Sequence, residues 1–220
     1  NKMRNALTLA HELGYAGQGV LSQRYQRFAN TRPTMFFIEA PSTTNEILLL
    51  EYMLANTTER DTRLLLINQY LEAVRTTVYR QTLFAEFEKI IHEQAEQGES
   101  LTADTLCNLW HELNRKYYGP EIVVDRVVDI EWARIPHFYR SFYVFQYATG
   151  YAAATALAQQ ILTEGRPAQQ RYLEFLQSGG ADYPIILLQQ AGVDMTTPAP
   201  VEVTLQKFAA MLAELENELG

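Results

Sequence analysis

His11 and Glu12, adjacent in the chain and followed by Tyr15 one helical turn on, are the residues best placed to do chemistry. In an α-helix, positions four apart share a face, so a His-Glu-x-x-His run lets two imidazoles grip one metal ion. The glutamate beside the first imidazole then serves as general base on metal-bound water. Here the run is His11-Glu12-Leu13-Gly14-Tyr15, with a tyrosine in the place of the second imidazole. It has the pattern of a zinc peptidase helix one nitrogen short. Taken alone, a His-Glu pair also fits a solvated helix surface.

Two further elements bear on that choice. Glu39 stands in Phe37-Ile38-Glu39-Ala40-Pro41-Ser42, an acid inside an otherwise apolar stretch. Carboxylates rarely enter such surroundings unpaired, because desolvating a charge is costly, and a nearby cation or metal resolves the cost. Glu46 shares the helix face of Glu39 and could orient a metal ligand by hydrogen bonding. Its spacing from Thr43 equally fits a capping box. Between Ile135 and Tyr151, polar-tipped rings crowd together: His137, Tyr139, Tyr143, Tyr147 and Tyr151. Tyr143, Tyr147 and Tyr151 recur every four residues and would line one helix face. A packed aromatic stripe accounts for them, and so does a row of donors facing a cleft and suited to an oxyanion.

The elements that must position these residues read almost throughout at helical period. Helices are expected over 3–30, 41–56, 59–97 and 102–118, the last capped by Thr102 and stopped at Gly119-Pro120. More are expected over 138–164, 172–176, 184–191 and 200–219. Ile122-Val123-Val124 with Val127-Val128 suits a strand or a loop. Loops are short and no repeat is visible, so the expectation is a single, mainly α, multi-helix domain over 1–220.

Composition narrows the partners. Apolar residues make up 47% and charged residues 20%, ordinary for a folded chain with a substantial core. The formal net charge of −8 argues against nucleic acid, whose binders concentrate Lys and Arg. No apolar run approaches the roughly 20 residues needed to span a bilayer, so no membrane partner is expected. Nothing at the start reads as a signal peptide. The one cysteine, Cys107, lies in an apolar helical pattern, which suits a buried structural thiol and a reducing, cytoplasmic setting. His92 and His111 suit surface or packing roles. Arg134 and Arg140 suit salt bridges, with a peptide carboxylate as the alternative. The motif helix begins very near the first residue, which suggests a fragment lacking an N-terminal region.

Together, Thr8-Leu9-Ala10-His11-Glu12-Leu13-Gly14, Glu39-Ala40-Pro41-Ser42-Thr43-Thr44-Asn45-Glu46 and Arg80-Gln81-Thr82-Leu83-Phe84-Ala85-Glu86-Phe87-Glu88 form a recognisable series. Tyr117-Tyr118-Gly119-Pro120, the Pro136–Gly150 stretch and Ala191-Gly192-Val193-Asp194-Met195 continue it. In that order, over essentially the whole chain, they resemble the C-terminal catalytic half of oligoendopeptidase F, in the thimet-oligopeptidase group of zinc metallopeptidases. The resemblance implies a zincin-like helical fold, a missing N-terminal lobe that completes the substrate channel, and internal cleavage of short peptides. It implies that His11 and Glu39 are zinc ligands, with Tyr15 in the position of the remaining histidine ligand. It implies that Glu12 is the general base and that His137 and Tyr143 bind substrate and stabilise the oxyanion. Tyr147 and Tyr151 become further substrate-binding candidates.

Tyr15 is the departure from the family pattern. A catalytic zinc keeps three protein ligands and an open position, and a phenol with an ordinary pKa of about 10 must lose its proton to bind. Relatives commonly carry a histidine near Gln18, which is itself a poor zinc ligand. Weak or absent zinc binding and impaired hydrolysis are therefore expected. The alternative is a non-catalytic peptide-binding protein on the same fold.

Overall fold

The computed structural model describes residues 2–220, and the side chains of all of these except Lys2, Met35 and Phe37; Asn1 lies outside the described residues. Nine α-helices carry the described residues, with no strand among them. They are α1 (Lys2–Tyr25), α2 (Met35–Ala55), α3 (Arg60–Val74), α4 (Arg80–Glu96) and α5 (Ala103–Tyr118). After these come α6 (Phe145–Glu164), α7 (Arg166–Ser178), α8 (Pro184–Gln190) and α9 (Ala199–Leu219). The mainly α expectation holds.

Several boundaries differ from the sequence reading, each for a local reason. The second helix begins at Met35, not at Pro41, so the proline sits inside it. Proline there removes one helical hydrogen bond, and the buried Ala40 and Pro41 lie against neighbouring helices. The expected 59–97 helix is interrupted by a π-helical turn at Arg75–Tyr79. The 138–164 helix starts only at Phe145, because Phe142 has φ 54°, outside any right-handed helix. Residues 122–128 form no strand; they make a loop ending in a 3-10 turn at Arg126–Val128, with Val123 94% exposed.

The chain divides into two compact units, one of residues up to Val74 with Thr149–Gly220, the other Arg75–Ala148. In the first, α1 lies against α2 at very close range. A Cβ placed on Gly14 would stand 2.5 Å from Ser42 Cα and 2.8 Å from the Pro41 carbonyl oxygen. Asn45 Nδ2 also donates to the Ala10 carbonyl at 3.3 Å, tying the two helices by a side chain. Small residues of α6, Ala153 and Ala156, join Ala40, Leu157, Tyr172 and Phe175 in this unit's core. α3 packs on α9, where Arg63 pairs with Glu214 and Glu218.

The second unit is built on rings. Phe84, Phe87 and Trp110 are buried with Leu83, Leu113 and Val144, and Trp132 and Phe138 pack on them. Phe87 meets Trp110 edge-on, with centroids 5.0 Å apart, and Phe138 lies 5.4 Å from Phe87. Such pairs add to the burial that already favours them.

Candidate functional site

α1 and α2 bring His11, Tyr15, Glu39 and Glu46 together. One turn of helix separates His11 from Tyr15, and their rings meet edge-on at 4.9 Å. Because α2 starts before Pro41, Glu39 and Glu46 both fall on the helix, two turns apart and facing α1. His11 Nδ1 is hydrogen-bonded to Glu46 Oε1. Thr43 is inside α2 rather than at its N-cap, so Glu46 orients an imidazole and is not part of a capping box. The hydrogen bond to Glu46, foremost, with the charges of Glu39 and Glu12, raises the His11 pKa against the opposing effect of desolvation. Glu12 is exposed beside His11.

Nδ1 being engaged leaves His11 Nε2 as the free lone-pair position, and it stands 3.9 Å from Glu39 Oε2. With zinc bonds of about 2.0–2.2 Å, two donors on one ion stand roughly 3–4 Å apart. His11 and Glu39 therefore match two ligands of one metal, with Glu46 as the carboxylate that fixes the imidazole. The third position is held by the phenol of Tyr15. Burial, foremost, and the neighbouring Glu39 carboxylate push the Tyr15 pKa above the ordinary phenol value. Among the described residues, no group of three His, Cys, Asp or Glu side chains could hold a metal ion.

An open cavity of about 890 Å³ adjoins Tyr15, walled by Gln18, Ser22, Gln26, Phe28 and Arg32 among others. Gln18 is only 2% exposed, and its amide nitrogen has no hydrogen-bond partner among the described residues. It does not stand in for a ligand.

His137, Tyr143 and Tyr147 form a separate cluster in the second unit. His137 and Tyr143 stack at 5.6 Å with an interplanar angle of 10°, and Tyr147 meets both rings edge-on. The Tyr143 and Tyr147 hydroxyls are 3.1 Å apart. The Arg140 guanidinium lies 5.5 Å from the Tyr143 ring centre. Tyr143 precedes α6 instead of riding on it, so the three tyrosines do not share one helix face as expected. Tyr151 belongs to the first unit and is 6% exposed, its hydroxyl pKa raised well above normal chiefly by burial. It is placed as a packed core residue, away from solvent.

The remaining candidates take packing and pairing roles. His111 is buried against Asp129 at 2.7 Å, and His92 lies 4.6 Å from the Phe142 ring. Arg134 pairs with Glu131. Sequence reasoning missed Gly14, whose presence inside a helix was the available signal. It also missed Ser42, whose backbone leaves no room for a Cβ on Gly14, and Asn45, whose amide ties α2 to α1.

The chain has relatives of known kind. It is 47% identical over 219 residues to oligopeptidase PepF of Bacillus subtilis (strain 168), covering 100% of this chain and 33% of that protein. It is 41% identical over 210 residues to the plasmid oligoendopeptidase F of Lactococcus lactis subsp. cremoris, covering 96% and 35%. The crystal structure of oligoendopeptidase-F from Enterococcus faecium superposes with a TM-score of 0.88 at 41% identity, covering 98% of this chain and 39% of that one. The chain thus spans about a third of the length of the curated relatives it matches. The family model for Peptidase family M3 matches residues 2–207, within which all the clusters above fall, and the chain belongs to that family.

Proposed function

We propose that this chain is the metal-bearing, C-terminal part of an enzyme that hydrolyses internal bonds of short peptides, and that Tyr15 impairs its zinc site. The tyrosine at position 15, in the place of the second imidazole and with its ring 4.9 Å from that of His11, carries the second half of this statement. A phenol must lose its proton to ligate, and beside two carboxylates and partly buried it keeps that proton more tightly than in water. His11 and Glu39 would hold the zinc, which would supply Lewis-acid polarisation of the scissile carbonyl and of the attacking water.

The chain's own residues divide the remaining work. Glu12 takes the proton of the attacking water and hands it to the leaving amine. His137 and Tyr143 hold the peptide and donate to the carbonyl oxygen as it gains charge, with Tyr147 supporting Tyr143 through its hydroxyl. Glu46 keeps His11 in the tautomer that leaves Nε2 free. The N-terminal portion that relatives possess completes the substrate channel. The placement is cytoplasmic, in keeping with one unpaired cysteine. Among the described residues, no helix is long and apolar enough to cross a membrane.

The same tyrosine favours one other reading, a peptide-binding protein that no longer hydrolyses. Elemental analysis and turnover of an internally quenched peptide, on the original full-length protein and its Tyr15→His variant, separate the two. Zinc near one per chain and turnover only in the variant support the impaired enzyme. Peptide binding without turnover in both supports the binding protein. One tightly held zinc in the original protein sinks the claim that Tyr15 impairs the site.

A further inference from the structure

We propose that Glu88 is a positioning residue: its buried carboxylate holds the backbone N–H of Phe142 and thereby sets the placement of Tyr143. The inference rests on the assignment of His137 and Tyr143 to peptide binding.

Glu88 sits on α4 at 2% exposure, among the aromatic core of the second unit. A carboxylate is costly there and needs a compensating partner. Glu86, two residues earlier, shows the ordinary arrangement, half-buried and paired with Lys116 at 2.5 Å and the Tyr117 hydroxyl at 2.8 Å. The Glu88 carboxylate instead accepts the Phe142 N–H at 2.7 Å. That places a charge-assisted hydrogen bond, stronger than a neutral one, on the main chain of a loop.

The loop needs holding. Phe142 is the only non-glycine with positive φ among the described residues, at 54°. A bulky side chain is rare in that region, and such strain persists only when the surroundings over-determine it. Burial of the Phe142 ring does not explain it, since the residue is 47% exposed and rests against His92. The hydrogen bond to Glu88 does. The consequence falls on the next residue. The left-handed turn at Phe142 reverses the chain, so that Tyr143 N–H returns to the Arg140 carbonyl at 3.1 Å. The ring then stacks on His137 and its hydroxyl reaches Tyr147. A right-handed φ at 142 would redirect Tyr143 away from both.

The test uses the full-length protein with Glu88→Gln, which keeps an acceptor oxygen, and Glu88→Met, which keeps the length and removes it. Glu88→Asp, which withdraws the acceptor by one methylene, replaces the methionine variant should α5 lose its exchange protection. Hydrogen exchange across 136–147 and affinity for a fluorescently labelled glycine–alanine peptide are read together. Glu88→Met is expected to speed exchange at Phe142 by about tenfold or more. The same variant should weaken the peptide by about tenfold, the scale of one such hydrogen bond. Glu88→Gln should stay within about threefold on both, a rescue that a general packing role would not give. Unchanged exchange in Glu88→Met overturns the anchor. Tyr143→Phe tells the two claims apart. If it leaves peptide affinity unchanged, the peptide-binding assignment has failed, and the positioning role with it. If it weakens affinity and Glu88→Met does not, the positioning role alone has failed.

Discussion

The α1–α2 pair and the aromatic core on α4 and α5 hold their side chains in opposite ways. At Gly14, main chain meets main chain, with no room for a methyl group before Ser42. Asn45 fastens the same crossing from the side. Around Trp110, large rings meet by face and edge over 5 to 6 Å, and the buried indole nitrogens of Trp110 and Trp132 have no hydrogen-bond partner among the described residues. Donors meant to converge on one ion, as proposed for α1 and α2, must be fixed within fractions of an ångström, and backbone contact supplies that. A stacking surface tolerates small rotations, and ring packing suffices. The two regions therefore differ in which change harms them, an added atom in one and a removed ring in the other.

The largest effect is expected in the ring core. Trp110→Ala should lower stability by about 3–5 kcal/mol, read by denaturant unfolding, whereas Trp110→Phe, which keeps one ring and loses no hydrogen bond, should cost about 1–2 kcal/mol for the volume left empty. Equal costs would show that the indole is held more specifically than its contacts suggest. Next is Gly14→Ala, expected to cost about 1–3 kcal/mol by overpacking. Gly17 and Gly19 on the same helix have nothing within 4 Å of an added Cβ. Alanine at either should be neutral or stabilise by about 0.5–1 kcal/mol through helix propensity. If all three glycines behave alike, the close crossing of α1 and α2 is wrong.

A smaller effect concerns pH. Burial, above all, raises the folded-state pKa of Glu88, against the opposing hydrogen bond from Phe142 and the charge of His92. A carboxyl with a raised folded pKa costs stability above that pKa, and the cost fades as pH falls toward the unfolded value. Glu88→Gln should remove this contribution, so the variant gains on the original protein at neutral pH and the gain shrinks in acid. Thermal melts across pH 4–8 check it, and a gain that grows in acid would reverse the sign. The smallest effect is Lys89→Ala. Its exposed i,i+4 pair with Glu93, at 3.5 Å, should be worth about 0.5 kcal/mol or less.

Much of the first region was legible in the chain, because its chemistry is written in residue types. The His-Glu pair and an acid in an apolar stretch pointed to His11 and Glu39, and helical period then put Glu46 on the same face. What resisted was three-dimensional register. Pro41 suggests a helix start, so Thr43 and Glu46 fitted a capping box until α2 proved to begin six residues earlier. The hydrogen bond from Asn45 to the Ala10 carbonyl joins two helices and leaves no local trace. In the second region, Phe142 defeated the period, since no glycine marks its left-handed backbone and the tyrosine spacing continued smoothly through it. Glu88 stayed hidden for the same reason: one more charge on a helix that already carries several.

The close crossing at Gly14 separates where the site is from what it does. Spacing between α1 and α2 is fixed by main-chain atoms, not by the side chain one position later. Residue 15 can therefore alternate between an imidazole and a phenol while the scaffold stays the same. Histidine and tyrosine codons differ by a single base. A lineage can thus exchange the donor at this position in one step and carry the fold through the exchange unchanged.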